Sequence, residues 1–143
     1  MAHAAKTVVY NRIVFVLSLI GLVIAAYVTQ SFLRQTSIVC LNSGCEIVRK
    51  SPMSYPLGIP VPAVGLAGYA FLSVLAFLRT TSSKRNLIPL ILGMSAFGVV
   101  FVSWFTYTEL FVIKAICTWC AVSAVNMLVI FTISLLMYKE AKK

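Results

Sequence analysis

The sequence predicts an all-α protein: an integral membrane four-helix bundle with an extracytoplasmic loop between helices one and two. Three observations carry that prediction. Hydrophobic side chains make up 61% of the chain and charged ones only 10%, far from the balance of a water-soluble domain. The apolar residues fall into four runs, each long enough at about 1.5 Å per residue to cross roughly 30 Å of hydrocarbon. The basic residues gather on alternate connections, as the sorting of lysine and arginine to the cytoplasmic side requires.

The first run, "IVFVLSLIGLVIAAYVTQSFL" at about residues 13–33, holds no charge. Lys6 and Arg12 precede it, as in a signal peptide. Its apolar core nevertheless exceeds the roughly 7 to 15 residues of such a segment, and no A-x-A site follows, so an uncleaved spanning helix is expected. The second helix is expected at about residues 57–78. Pro60 and Pro62 sit well at its start and poorly in its interior. Gly65 and Gly68, among Ala63, Ala67 and Ala70, are read as a surface on which a neighbouring helix packs closely. A short basic turn, "RTTSSKR", leads to a third helix at about residues 87–109, and the fourth is expected at about 117–138. Residues 1–143 form one domain.

A net charge of +9 would suggest nucleic acid in a soluble protein, but its distribution reads as topology instead. Lys6, Arg12, Arg79, Lys84, Arg85, Lys139, Lys142 and Lys143 fall on one side of the membrane, against Arg34, Arg49, Lys50 and Lys114 on the other. Both termini are therefore expected in the cytoplasm of a multi-pass protein of the cell (inner, cytoplasmic) membrane, with no nucleic-acid partner. Arg49 and Lys50 are placed at lipid headgroups. The four runs show no evident ionisable residue at depth, which weakens a transporter reading.

On that topology all four cysteines are extracytoplasmic, in a compartment that permits disulfides. Cys40 and Cys45 lie in the long polar loop 34–56, bracketing Asn42, Ser43 and Gly44, turn formers that bring the two sulfurs together. Cys117 and Cys120 open the fourth helix, about 60° apart on one face. A helix N-terminus stabilises a thiolate, and Lys114 adds a cation nearby. A redox-active dithiol is the favoured reading. Structural bridges are one alternative, although a bridge within one helical turn closes a ring too short to stabilise much. A zinc site is the other, but the loop spacing is C-x-x-x-x-C rather than a ligand spacing, so no metal is expected. A dithiol at a membrane boundary suits a lipid-soluble two-electron acceptor such as a quinone. Trp104, Phe105, Tyr107 and Trp119 are available to wall its pocket, or to act as interface anchors.

Taken together, "CLNSGC", Ser51 six residues on, "GIPVPAVGLAGYAF" opening helix two and "CTWC" opening helix four resemble the vitamin K epoxide reductase family in its small prokaryotic form, over nearly the whole chain. The cysteine order matters, because in the other quinone-coupled thiol oxidases the C-x-x-C precedes the second pair. The resemblance implies a membrane thiol:quinone oxidoreductase. It would oxidise a thioredoxin-like (DsbA-like) extracytoplasmic partner and pass electrons through both cysteine pairs to ubiquinone, menaquinone or a related quinone, driving disulfide formation. It implies that Cys40 takes electrons from the partner, Cys45 pairs with Cys117, Cys120 reacts with the quinone, and Ser51 lies near the quinone. Capping a short loop helix is the competing role for Ser51. Vertebrate members carry a tyrosine four residues after the second C-x-x-C cysteine. Here that residue is Ala124, which favours quinone reduction over vitamin K epoxide reduction. Asn126 is assigned to bridging helices. A vitamin K quinone or epoxide reductase running on external thiols, and a non-enzymatic tetraspan with structural disulfides, remain the alternatives.

Overall fold

The computed structural model describes residues 2–37, 39–40, 44–82 and 84–143. Its elements are helical throughout: α1 (Ala2–Arg34), α2 (Gly44–Lys50), α3 (Val61–Ser82), α4 (Leu87–Tyr107) and α5 (Thr118–Lys142). Four helices are long and apolar enough to span a membrane: α1, α3, α4 with its continuation to Ile113, and α5. The chain is a multi-pass membrane protein. Val23, Phe71, Phe97, Val100 and Val125 all stand more than half exposed on the outside of the bundle. Such an apolar exterior belongs in lipid.

The helices close a ring in which α1 packs on α3 and α5, and α4 packs on the same two. Four spans return the chain to its starting side, and two contacts mark that end. His3 Nδ1 lies 2.6 Å from Glu140 Oε2, and the Arg85 guanidinium bonds the Ala141 carbonyl. Between the ends the packed helices are joined by polar side chains, which in an apolar medium have no better partner. Asn11 Nδ2 donates to the Ala76 carbonyl at 3.0 Å and to Thr80 Oγ1 at 2.8 Å, joining α1 to α3. Asn126 Nδ2 donates to the Leu17 carbonyl at 3.1 Å, so it bridges helices as expected.

Close approach falls on other glycines than those expected. A Cβ at Gly21 would sit 2.3 Å from the Tyr69 ring, and one at Gly98 2.7 Å from Met127 Sδ. At Gly65 a Cβ would meet nothing within 4 Å, and at Gly68 only Met94 Cε at 3.9 Å. Gly65 and Gly68 face open space rather than a closely packed neighbouring helix.

Helix boundaries shift where the backbone chemistry says they must. The second spanning helix begins at Val61 rather than near residue 57, because Pro56–Gly58 forms a separate 3-10 turn in which Leu57 adopts φ 58°. Pro62 then occupies the first turn, where its missing N–H costs nothing. α1 starts about ten residues earlier than its apolar run, and α5 ends later, at Lys142. The third helix changes to a π turn at Thr108–Ile113, and Lys114 closes it in the left-handed region at φ 60°. The loop carries a short helix of its own, α2, ahead of the 3-10 turn that Ser51 caps.

Candidate active site

All four sulfurs lie at one end of the bundle, where α1 ends and α5 begins. Cys40 and Cys45 form a disulfide. Asn42 and Ser43 of the expected turn lie outside the described residues, while Gly44 starts α2. The loop is held down by α1 and α5. Trp119 Nε1 donates to the Val39 carbonyl at 2.6 Å, and Thr118 Oγ1 lies 3.3 Å from Cys40 Sγ. Tyr27 accepts from the Val39 N–H at 3.3 Å while its ring meets the Trp119 ring edge-on at 5.5 Å. Gln35, with φ 54°, joins α1 to the rest of the loop by donating to Tyr55 Oη at 3.0 Å and accepting from Arg49 Nη1 at 2.9 Å.

Arg49 is therefore not a headgroup contact. It is 5% exposed, and its Nη2 pairs with Glu46. Lys50, the next residue, is exposed. Ser51 caps the first 3-10 turn, accepting from the Met53 N–H at 3.3 Å.

Cys117 is not inside helix α5 but is its N-cap, with extended φ and ψ of −82° and 125°. Thr118 and Trp119 follow, so Cys120 occupies the third helical position. The thiols of Cys117 and Cys120 are free. A hydrogen bond from the Cys120 thiol pulls the Cys117 thiol down to about 7. Burial opposes this, and the backbone N–H groups of Cys120 and Trp119, aimed at the sulfur, reinforce it. The helix terminus acts as the sequence suggested. Lys114 points outward from its left-handed turn and is not among these causes.

The decisive distance joins the two pairs. Cys117 Sγ lies 3.2 Å from Cys45 Sγ, and both cysteines are completely buried. A thiol against one sulfur of a disulfide is the reactant geometry of thiol exchange. Cys40, at the far end of the disulfide, is only half-buried.

On its other side the dithiol opens onto an apolar cleft between α1, α3, α4 and α5, with about 820 Å³ of space between atoms including its mouth. Phe101, Phe105 and Trp119 wall it, Gly65 and Gly68 form its floor on α3, and Cys120 lies at its edge. Trp104 and Tyr107 are not among the lining residues and stand 46% and 60% exposed. Ser51 does not line it either. The polar lining includes Tyr69 and Ser123, joined by a hydrogen bond from Tyr69 Oη to the Ser123 carbonyl at 3.0 Å.

A family model for the vitamin K epoxide reductase family matches residues 12–135. The chain belongs to that family. It is a membrane oxidoreductase of the vitamin K epoxide reductase type, and the match runs from α1 to near the end of α5, covering both cysteine pairs.

One residue at the site was missed by sequence reasoning. Glu109, at the last position of the third helix expected from the sequence, is 2% exposed. The π turn folds it back, so that its carbonyl accepts the Ala115 N–H at 3.0 Å while its carboxyl faces the Cys120 thiol and the Cys117 N–H. An ionisable residue therefore does lie buried beside the spans. The signal was present: Glu109 is one of only three acidic residues in the chain, at the end of an apolar run just before the C-x-x-C.

Among the described residues no group of three His, Cys, Asp or Glu side chains could hold a metal. The cleft has instead the chemistry of an aromatic, lipid-soluble group: apolar walls, open space over Gly65, and a sulfur at its edge.

Proposed function

We propose that the protein is a thiol:quinone oxidoreductase that oxidises a thioredoxin-like extracytoplasmic partner and so drives disulfide formation. The observation that carries this reading is the 3.2 Å contact between Cys117 and Cys45, on a dithiol whose other member borders the apolar cleft. The half-buried Cys40 suits attack by a partner's thiolate on the loop disulfide. The resulting loop dithiol reduces a Cys117–Cys120 disulfide through a Cys45–Cys117 mixed disulfide, and Cys120 leaves as a thiolate. Thiol exchange is reversible, so the contact serves transfer in either direction. A quinone bound in the cleft would supply the sink, taking two electrons and two protons to become a quinol. Phe101, Phe105 and Trp119 would hold its ring and exclude water, and Cys120 would face it. Ser51, as the cap of the turn after α2, would act on the site by holding the loop. One domain spans the chain, with both termini cytoplasmic and the cysteines on the outer face of the cell membrane, consistent with the distribution of basic residues.

The test is quinone-dependent oxidation of a reduced thioredoxin-like protein by the purified protein, with ubiquinone and menaquinone. C117A and C120A should each lower the rate on the order of 10³-fold or more, since removing one member of a unit disables the unit. Undiminished turnover in either variant would remove the mechanism.

A further inference from the structure

Two thiols that become a disulfide release two electrons and two protons, which together balance the reduction of a quinone to a quinol. The electrons have a path through sulfur. The protons need one too, because Cys117 is fully buried and the walls beside Cys120 are apolar.

We propose that Glu109 is the catalytic proton carrier of the Cys117/Cys120 pair. Its carboxylate takes the Cys120 proton as that sulfur becomes the nucleophile, and its carboxyl returns a proton when Cys120 leaves as a thiolate on reduction by the loop. In a full cycle the carboxyl gains the Cys120 proton and gives it back; one quinol oxygen takes the Cys117 proton, and the other takes the proton that the loop dithiol leaves over when the carboxyl reprotonates Cys120.

Three features place Glu109 in this role. It is 2% exposed, in a segment where an unpaired charge is costly and is retained only for a purpose. Its Oε1 has no hydrogen-bond partner, so the carboxyl has capacity for a proton. The π turn and the left-handed Lys114 hold its backbone through the Ala115 N–H while aiming the side chain at Cys120. Turns of this kind are frequent at functional sites.

The titratable groups that face Glu109 are the two thiols of α5. On α2, packed against the same turn, Arg49 is engaged by Glu46 and Gln35. Among the described residues no lysine, arginine or histidine forms an ion pair with Glu109. A carboxyl without a cation can change its proton occupancy at the sulfur's demand.

The inference rests on the thiol:quinone reading, and the experiment separates the two. Infrared difference spectra between the reduced and oxidised Cys117/Cys120 pair should show a carboxyl carbonyl band that shifts in D₂O and is absent from E109Q. E109Q should form quinol about 100-fold more slowly, the usual scale for a lost proton-transfer group. It should also lose the limb of the pH–rate profile on which the wild-type rate rises as the carboxyl deprotonates. Reduction of the Cys40–Cys45 disulfide by the partner should stay within about twofold of wild type, because that exchange does not involve Cys120. E109D should retain the band and recover at least about a tenth of the rate.

A wild-type spectrum without a D₂O-sensitive carboxyl band overturns the proposal whatever the variants do. So does an E109Q protein within about twofold of wild type, or one that loses both exchanges alike with its pH profile unchanged. If C120A also continues to form quinol, the thiol:quinone reading fails; if only E109Q is unaffected, that reading stands and Glu109 is not the carrier.

Discussion

The two cysteine pairs share an end of the bundle but differ in how they are held. The loop pair is closed as a disulfide and carried on a segment fastened by hydrogen bonds to side chains of α1 and α5. The helix pair is open, with Cys117 fixed as the N-cap of a spanning helix and Cys120 one turn in. One pair sits on a loop outside the spanning helices, the other at the head of a spanning helix. The difference teaches that exchange between the pairs needs no large motion: they already touch at Cys45 and Cys117, while Cys40 lies half-buried in the loop and Cys120 borders the apolar cleft.

Breaking the contact from the loop side should have the largest effect. C45A should lower oxidation of a protein substrate about 100-fold or more, while a small dithiol that reaches the helix pair directly keeps its rate within about tenfold. Equal rates on the two substrates, measured side by side, would mean that the loop is no relay.

The second difference is chemical. Because the Cys117 thiol is lowered to about 7, its thiolate is present above that pH and lost as pH falls through it. An ordinary thiol near 8.5 would still be mostly protonated at neutrality. Site-resolved alkylation of quinone-free protein should therefore find Cys117 about tenfold more thiolate-rich at pH 7 than an unperturbed cysteine. A midpoint near 8.5 would mean that the Cys120 thiol and the helix terminus do not hold the Cys117 thiolate.

The smallest effect concerns the fastening. W119F keeps the aromatic wall but deletes the hydrogen bond to Val39, worth about 1 kcal/mol net and so about fivefold in the docked population of the loop. Loop-to-helix exchange in stopped flow should slow by that factor. Quinone affinity should change less, and a larger loss in affinity than in exchange would reassign Trp119 mainly to the cleft.

Much of this was legible in the sequence, because its signals were strong. Four long apolar runs fix four spans, and the positions of twelve basic residues order them. The spacing of Cys117 and Cys120 at the head of a run fixes a dithiol near a helix terminus. What escaped depends on tertiary context. Leu57 lies in an apolar stretch, yet the prolines on both sides of it delay α3 to Val61. Gly65 and Gly21 look alike in sequence, and only packing shows that one faces space and the other a tyrosine ring. Arg49 reads as a surface cation until Gln35 and Glu46 are seen around it. Glu109 looks like a helix end because nothing local announces a π turn that folds a carboxyl back onto a sulfur eleven residues later.

The contact between the pairs is tested most directly by leaving only its two sulfurs in place. In the double variant C40S/C120S, held in membranes under mild oxidation, peptide mapping should recover Cys45 and Cys117 joined to each other within one chain, in high yield. If both remain free and open to alkylation, or couple only between chains, the sulfurs do not meet and the relay does not exist.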